Sequence, residues 1–170
     1  MIDIIKSRRS IRKYKDIPVE KAHIETMLKA AMHAPSACNS RPWRFIVITN
    51  RNTLNQLAEA HKHAKMLNTA TAAIVICALA EEQAANETAK GFYPQDCGAA
   101  TQNIMLAAKE LGLSSCWCGV YPKEPLVKVV GEILNLPDEE IPFCVIAIGH
   151  GDEEPGARGF YDVAKVRFMD

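Results

Sequence analysis

Two runs of this chain, "TAAIVICALA" at 71–80 and "IPFCVIAIGHG" at 141–151, constrain the fold more than any other feature. A strand with one wet face alternates apolar and polar residues, and these do not alternate. Ile74, Val75 and Ile76 stand side by side, which marks a strand buried within a sheet. Such a sheet must be covered by helices, and the intervening sequence supplies them. "IDIIKS" at 2–7 is a short helix with one apolar side. After Pro18, "VEKAHIETMLKAAMH" carries Ile24, Met27, Leu28 and Ala31 at helical spacing, and it should stop at "APSACNSRPW", where Pro35 and Pro42 disfavour helical geometry.

"RFIVITN" then predicts a strand, and "TLNQLAEAHKHAKMLN" a helix with Leu54, Leu57, Ala58 and Ala64 on its apolar stripe. "DCGAATQNIMLAAKELGL" is a helix rich in small residues, which permits close helix approach. "SSCWCGVY" is a strand and "KEPLVKVVGEILNL" a helix with proline in its first turn. The order helix, helix, strand, helix, strand, helix, strand, helix, strand argues for an α/β or α+β sheet covered by helices. Residues 152–170 form a polar tail with scattered apolar residues, expected to wrap over the body of the domain or a partner subunit.

At 170 residues and 48% hydrophobic, the chain suits one domain spanning 1–170. Twenty basic and twenty acidic residues leave a formal charge of zero, with no overall field for nucleic acid or an anionic membrane. No apolar run is long enough to span a bilayer, and the start lacks a signal-peptide core, so a cytoplasmic protein is expected. Six cysteines are too sparse for a disulfide scaffold; reduced thiols are expected, with Cys77 and Cys144 buried in strands.

Against that neutral background "SRRSIRKY" at 7–14 gathers Arg8, Arg9, Arg12 and Lys13 about Ser10. Guanidinium forks and a hydroxyl suit a phosphate dianion. By itself the run equally fits a solvated basic face. In "APSACNSRPWRF" at 34–45, Asn39 offers a donor and an acceptor on one plane, matching the edge of a pyrimidine-like ring, with Pro35 and Ser36 shaping the turn. An ordinary loop anchored by Trp43 reads the same way. In "GLSSCWCGVYP" at 112–122, Cys116 and Cys118 share one face of a strand without the usual metal spacing, and Gly119 lets backbone approach a flat ligand. A thiol or metal module on this pair is a competing reading. His61 and His63 read as solvated residues on a helix flank, and His150 as a ligand neighbour or a cap. There is no GxGxxG or P-loop.

Taken in order, "SRRSIRKY", "APSACNSRPWRF", "GLSSCWCGVYP" and "IAIGHGDEEP" resemble the nitroreductase family of FMN-dependent NAD(P)H oxidoreductases, over nearly the whole chain. The resemblance implies an α+β fold, with a central, mostly antiparallel sheet flanked by helices. It also implies an interlocked homodimer with FMN at the subunit interface. Arg8, Arg9, Ser10 and Arg12 would bind the phosphate and ribityl chain, completed by Arg158 of the tail or, as a substitute, Lys165. Pro35, Ser36 and Asn39 would reach the flavin from the other subunit, and backbone at Cys118 and Gly119 would lie along the ring. NADH or NADPH would be the electron donor, and a small electron-poor molecule such as a nitroaromatic or quinone the acceptor. No metal is implied. The family loop often has glutamine where this chain has Arg41, which marks Arg41 as a candidate substrate residue. A non-enzymatic flavin-binding protein would use the same cofactor residues.

Overall fold

The computed structural model describes residues 2–156, 158–159 and 161–169. Its sheet has four strands, β1 (Trp43–Ile48), β2 (Ala72–Ala78), β3 (Ser114–Gly119) and β4 (Ile141–Gly149), in the order β1-β2-β4-β3. Every neighbouring pair is antiparallel, with Val75 of β2 opposite Val145 of β4. The register slips between Ile76 and Cys77, where the partner is Pro142. A proline has no N–H to give the ladder, so the irregularity falls where pairing is weakest.

The two central strands explain the continuous apolar runs, because both sheet faces are covered. On one face Ala72, Ile74, Ile76 and Ala78 meet α2 (Lys21–Met32) and α5 (Tyr93–Glu110) through Ile24, Met27, Ala100 and Ile104. On the other, Ala73, Val75 and Cys77 meet α3 (Arg51–Ala60) and α6 (Glu124–Leu134) through Leu54, Leu57 and Val130. Alanines let α5 lie close to α2, where Asn103 Nδ2 donates to Ala30 O at 3.0 Å. Cys77 and Cys144 are fully buried in strands, as expected. The α+β architecture, antiparallel and flanked by helices, follows directly. A short α1 covers Ile2–Ser7.

One expectation needs correction. The helix expected over 53–68 ends at Ala60; its N-terminus is capped by Asn50, whose side chain accepts from Thr53 N, and after a turn a short 3-10 segment spans Lys65–Asn68. Ala64 is buried all the same, but on a turn rather than a helical stripe. A five-residue α4 (Ala80–Ala84) follows β2 directly, too short to show a helical period.

Beyond Gly151 the chain leaves the sheet. Tyr161, Val163, Phe168 and Met169 are exposed, Phe168 at 82%. No helix among the described residues is long and apolar enough to cross a membrane.

Candidate functional site

The basic stretch is stitched between the beginning of β3 and the end of β4. Ile11 N donates to Ser115 O at 3.1 Å, Lys15 N to His150 O at 2.8 Å, and Asp152 N to Lys13 O at 2.9 Å. Tyr14 anchors it: the ring is buried and the hydroxyl donates to Ile11 O at 2.7 Å. Burial pushes that hydroxyl's pKa well above the ordinary tyrosine value. Such close packing requires Gly149, since a Cβ there would stand 2.9 Å from Tyr14 Cδ1. Glu153 closes the segment by accepting from the backbone N–H groups of Arg12 and Lys13.

With the backbone satisfied in this way, the arginine side chains are left for something else. Arg8, Arg9, Ser10 and Arg12 line one cavity of about 950 Å³, together with Arg158 from the tail. Among the described residues none of these four arginines pairs with a carboxylate. Among the described residues their guanidinium acceptors are carbonyls at the outer limit of a hydrogen bond, Pro155 O at 3.4 Å from Arg9 and Ser10 O at 3.5 Å from Arg12. Four cations with open forks around one cavity suit a bound phosphate.

Arg12 also lines a second cavity of about 480 Å³, walled by Trp117, Cys118, Gly119, Tyr121 and His61. A third, of about 400 Å³, sets Arg12 and Lys13 beside Lys62, His63 and Lys65. Arg12 is therefore the hinge of the site. Lys62 and Lys65 were not singled out from the sequence, because their helical spacing hid the turn that brings them to Arg12.

His61 requires a correction as well. It is 3% exposed, not solvated, and its Nε2 lies 2.8 Å from Gly119 O. Cys116 and Cys118 share the buried face of β3, with Cys118 Sγ 3.5 Å from Met66 Sδ. A hydrogen bond from the Cys118 thiol, helped by the Arg12 and Arg8 guanidiniums and opposed by burial, draws the Cys116 thiol below its ordinary pKa. All six cysteines are free thiols, and among the described residues no three His, Cys, Asp or Glu side chains are grouped to hold a metal.

The Pro35–Arg41 loop lines none of these three cavities. It is instead a rigid projection. Cys38, Asn39 and Arg41 all have positive φ, at 49°, 55° and 51°. Residues other than glycine hold such angles only when their surroundings insist. Ser36 Oγ accepts from Arg41 N at 3.0 Å, and Asn39 Oδ1 accepts from Arg41 Nε at 3.0 Å, so the acceptor of the Asn39 amide is already engaged. From beneath, the buried Asp96 accepts from Ala37 N at 3.1 Å and from Gln83 Nε2 at 2.7 Å, and Gln83 also donates to Ser40 Oγ. Neither Asp96 nor Gln83 carries a sequence signal that links it to this loop.

Comparison with known proteins settles the family. The nitroreductase family profile matches residues 5–64 and 55–150. The chain belongs to the nitroreductase family. A Methanothermobacter thermautotrophicus relative, named as a candidate NADH dehydrogenase/NAD(P)H nitroreductase, is 42% identical over 98% of this chain and 85% of its own. An FMN-dependent nitroreductase from Clostridium difficile superposes with a TM-score of 0.89 at 37% identity, covering 100% of this chain and 99% of that one. A nitroreductase-like protein of Desulfovibrio desulfuricans, solved in complex with FMN, gives 0.81 at 28% identity over 99% and 95% of the two chains. In this nitroreductase the arginine-lined cavity and the strand-end cavity meet at Arg12.

Proposed function

We propose that this nitroreductase is an FMN-dependent oxidoreductase that takes a hydride from NADH or NADPH and delivers it to a small electron-poor acceptor, such as a nitroaromatic or a quinone. One observation carries the reading: Arg8, Arg9, Ser10, Arg12 and Arg158, without ion pairs among the described residues, converge on a cavity that Arg12 joins to the Cys118–Gly119 strand end. The chain's FMN-dependent and FMN-bound relatives support the same cofactor. Their kin named as NAD(P)H nitroreductases support the nicotinamide donor.

Arg8, Arg9, Ser10 and Arg158 would hold the phosphate and ribityl end. Backbone at Cys118 and Gly119, where glycine leaves room, would line the ring. Arg12 stands between them, with Lys65 on the adjoining cavity that Arg12 also lines, and these cations would favour the negative charge that reduction adds. Bound FMN supplies the hydride acceptance and return at N5 that no side chain here offers. The protein binds, orients and polarises.

The single domain would act as a cytoplasmic homodimer. The exposed apolar tail gives a second copy something to cover, and Pro35, Ser36 and Asn39, which line neither cavity in their own chain, would complete the partner's flavin site. Arg41, fixed by Asn39 beside that site, would favour an anionic substrate or the phosphate of the nicotinamide donor. Steady-state kinetics of Arg41→Gln with NADH, NADPH and an acidic acceptor tests that role, and unchanged constants throughout would refute it. Because donor and acceptor would alternate at one place, initial-rate plots of the FMN-loaded protein should be parallel. Intersecting lines would reject this ping-pong order.

A further inference from the structure

His61 has no part in holding the phosphate, yet it is built into the wall of the second cavity. Helix α3 ends one residue before it: His61 N still donates to Leu57 O at 3.0 Å, but its backbone is extended and the ring turns inward. Nδ1 accepts from His63 N at 3.2 Å, so the lone pair is on Nδ1 and the proton on Nε2. Nε2–H therefore donates to Gly119 O, 2.8 Å away. Beyond Gly119 the ladder ends in a shared acceptor, with Val120 N and Tyr121 N both donating to Phe143 O at 3.1 and 3.0 Å. The Gly119–Val120 peptide is thus pinned at both ends, its N–H by β4 and its carbonyl by His61.

We propose that His61 is a positioning residue for the flavin, one that compensates the Gly119 carbonyl and thereby raises the reduction potential of FMN bound against this strand end. The proposal rests on the FMN reading above. A carbonyl left uncompensated at the cavity wall presents its negative end where reduction adds negative charge, and glycine offers little resistance to the peptide's turning. Arg12 and Lys123 line the same cavity, and their charges are common to every variant at residue 61.

The test is the midpoint potential of the FMN-loaded protein, with oxidised-FMN affinity and thermal stability measured alongside. His61→Leu fills the space without a donor. His61→Asn keeps an acceptor for His63 N–H but is too short to reach Gly119, and His61→Gln restores a donor at the Nε2 position. In the Leu and Asn variants the ratio of oxidised to reduced FMN dissociation constants should fall about tenfold, the worth of one hydrogen bond, or about 30 mV downward for a two-electron couple. Gln should return it to within about twofold. Lower thermal stability with an unchanged potential in the Asn variant would make His61 merely structural and overturn the proposal, whether or not the Leu variant folds. So would imidazole nitrogen shifts of the wild type showing the proton on Nδ1. A wild type that takes up no FMN would refute the flavin reading itself, a failure seen before any variant is compared.

Discussion

Replacing Gly149 with alanine should loosen the whole anion site, although residue 149 lines none of its three cavities. The added Cβ would stand 2.9 Å from Tyr14 Cδ1 and 3.4 Å from both Tyr14 Cγ and Thr71 Oγ1. Carbon pairs prefer about 3.5–4.0 Å, so ring or strand must give by roughly 0.6–1 Å. The ring cannot swing away freely, being buried and tied by its hydroxyl to Ile11 O. Overpacking of this kind costs about 1–3 kcal/mol, and the lost freedom of the unfolded glycine returns about 0.4–1 kcal/mol. A net loss of about 1–2 kcal/mol should lower Tm by roughly 2–8 °C in a chain of this size. Because Tyr14 and Arg12 sit on one stitched segment, FMN affinity should fall with it. Gly98→Ala is the control: its Cβ would meet Trp117 Cη2 at an ordinary 3.9 Å, within a helix where alanine is favoured. Scanning calorimetry and FMN titration read both effects. A Gly149→Ala protein as stable as wild type, with unchanged FMN affinity, would refute the argument that Tyr14 packing positions the arginines.

Other consequences follow from the same geometry. Arg8→Gln and Arg158→Gln should each weaken FMN binding about 10- to 100-fold, the worth of a charge-assisted hydrogen bond, with little change in Tm; fluorescence titration checks this. Asp96→Ala should destabilise by about 1–3 kcal/mol by stripping Ala37 N and Gln83 of their acceptor, whereas Asp96→Asn should cost less, since a flipped Gln83 can offer its unpartnered Oε1 to the new amide. Denaturant titration of the two variants separates them. Thiolate absorbance should show one cysteine ionising near 7, below the ordinary 9.0, and Arg12→Gln should raise that value. The folded-state pKa is the lower one, so this thiol's contribution to stability is fully present above about 9, and it is lost as pH falls through about 7. A thiolate pKa indifferent to residue 12 would remove the guanidinium from the account.

The sheet was legible in the sequence because both faces of β2 and β4 are covered, and that leaves a continuous apolar run. The helices were legible because α2, α3, α5 and α6 each bury one stripe. What misled was continuity of pattern. Ala64 falls at helical spacing from Leu57, but the chain turns at His61, and the turn carries His61 inward and Lys62 and Lys65 to Arg12. Arg8, Arg9, Ser10 and Arg12 could be grouped because they are neighbours in sequence, and Arg158 was reached only through the family resemblance. The Asp96 and Gln83 support beneath the Pro35–Arg41 loop had no such signal, being long-range contacts between ordinary polar residues.

The central claim is that the cavity joined at Arg12 holds an FMN reducible by a nicotinamide. The visible spectrum of the purified protein, supplemented with FMN and then mixed anaerobically with NADH or NADPH, tests it most directly. The account predicts oxidised-flavin bands that bleach rapidly on adding the donor. Bound flavin that stays oxidised would leave a flavin-binding protein without reductase activity, and a protein that takes up no flavin would contradict the claim altogether.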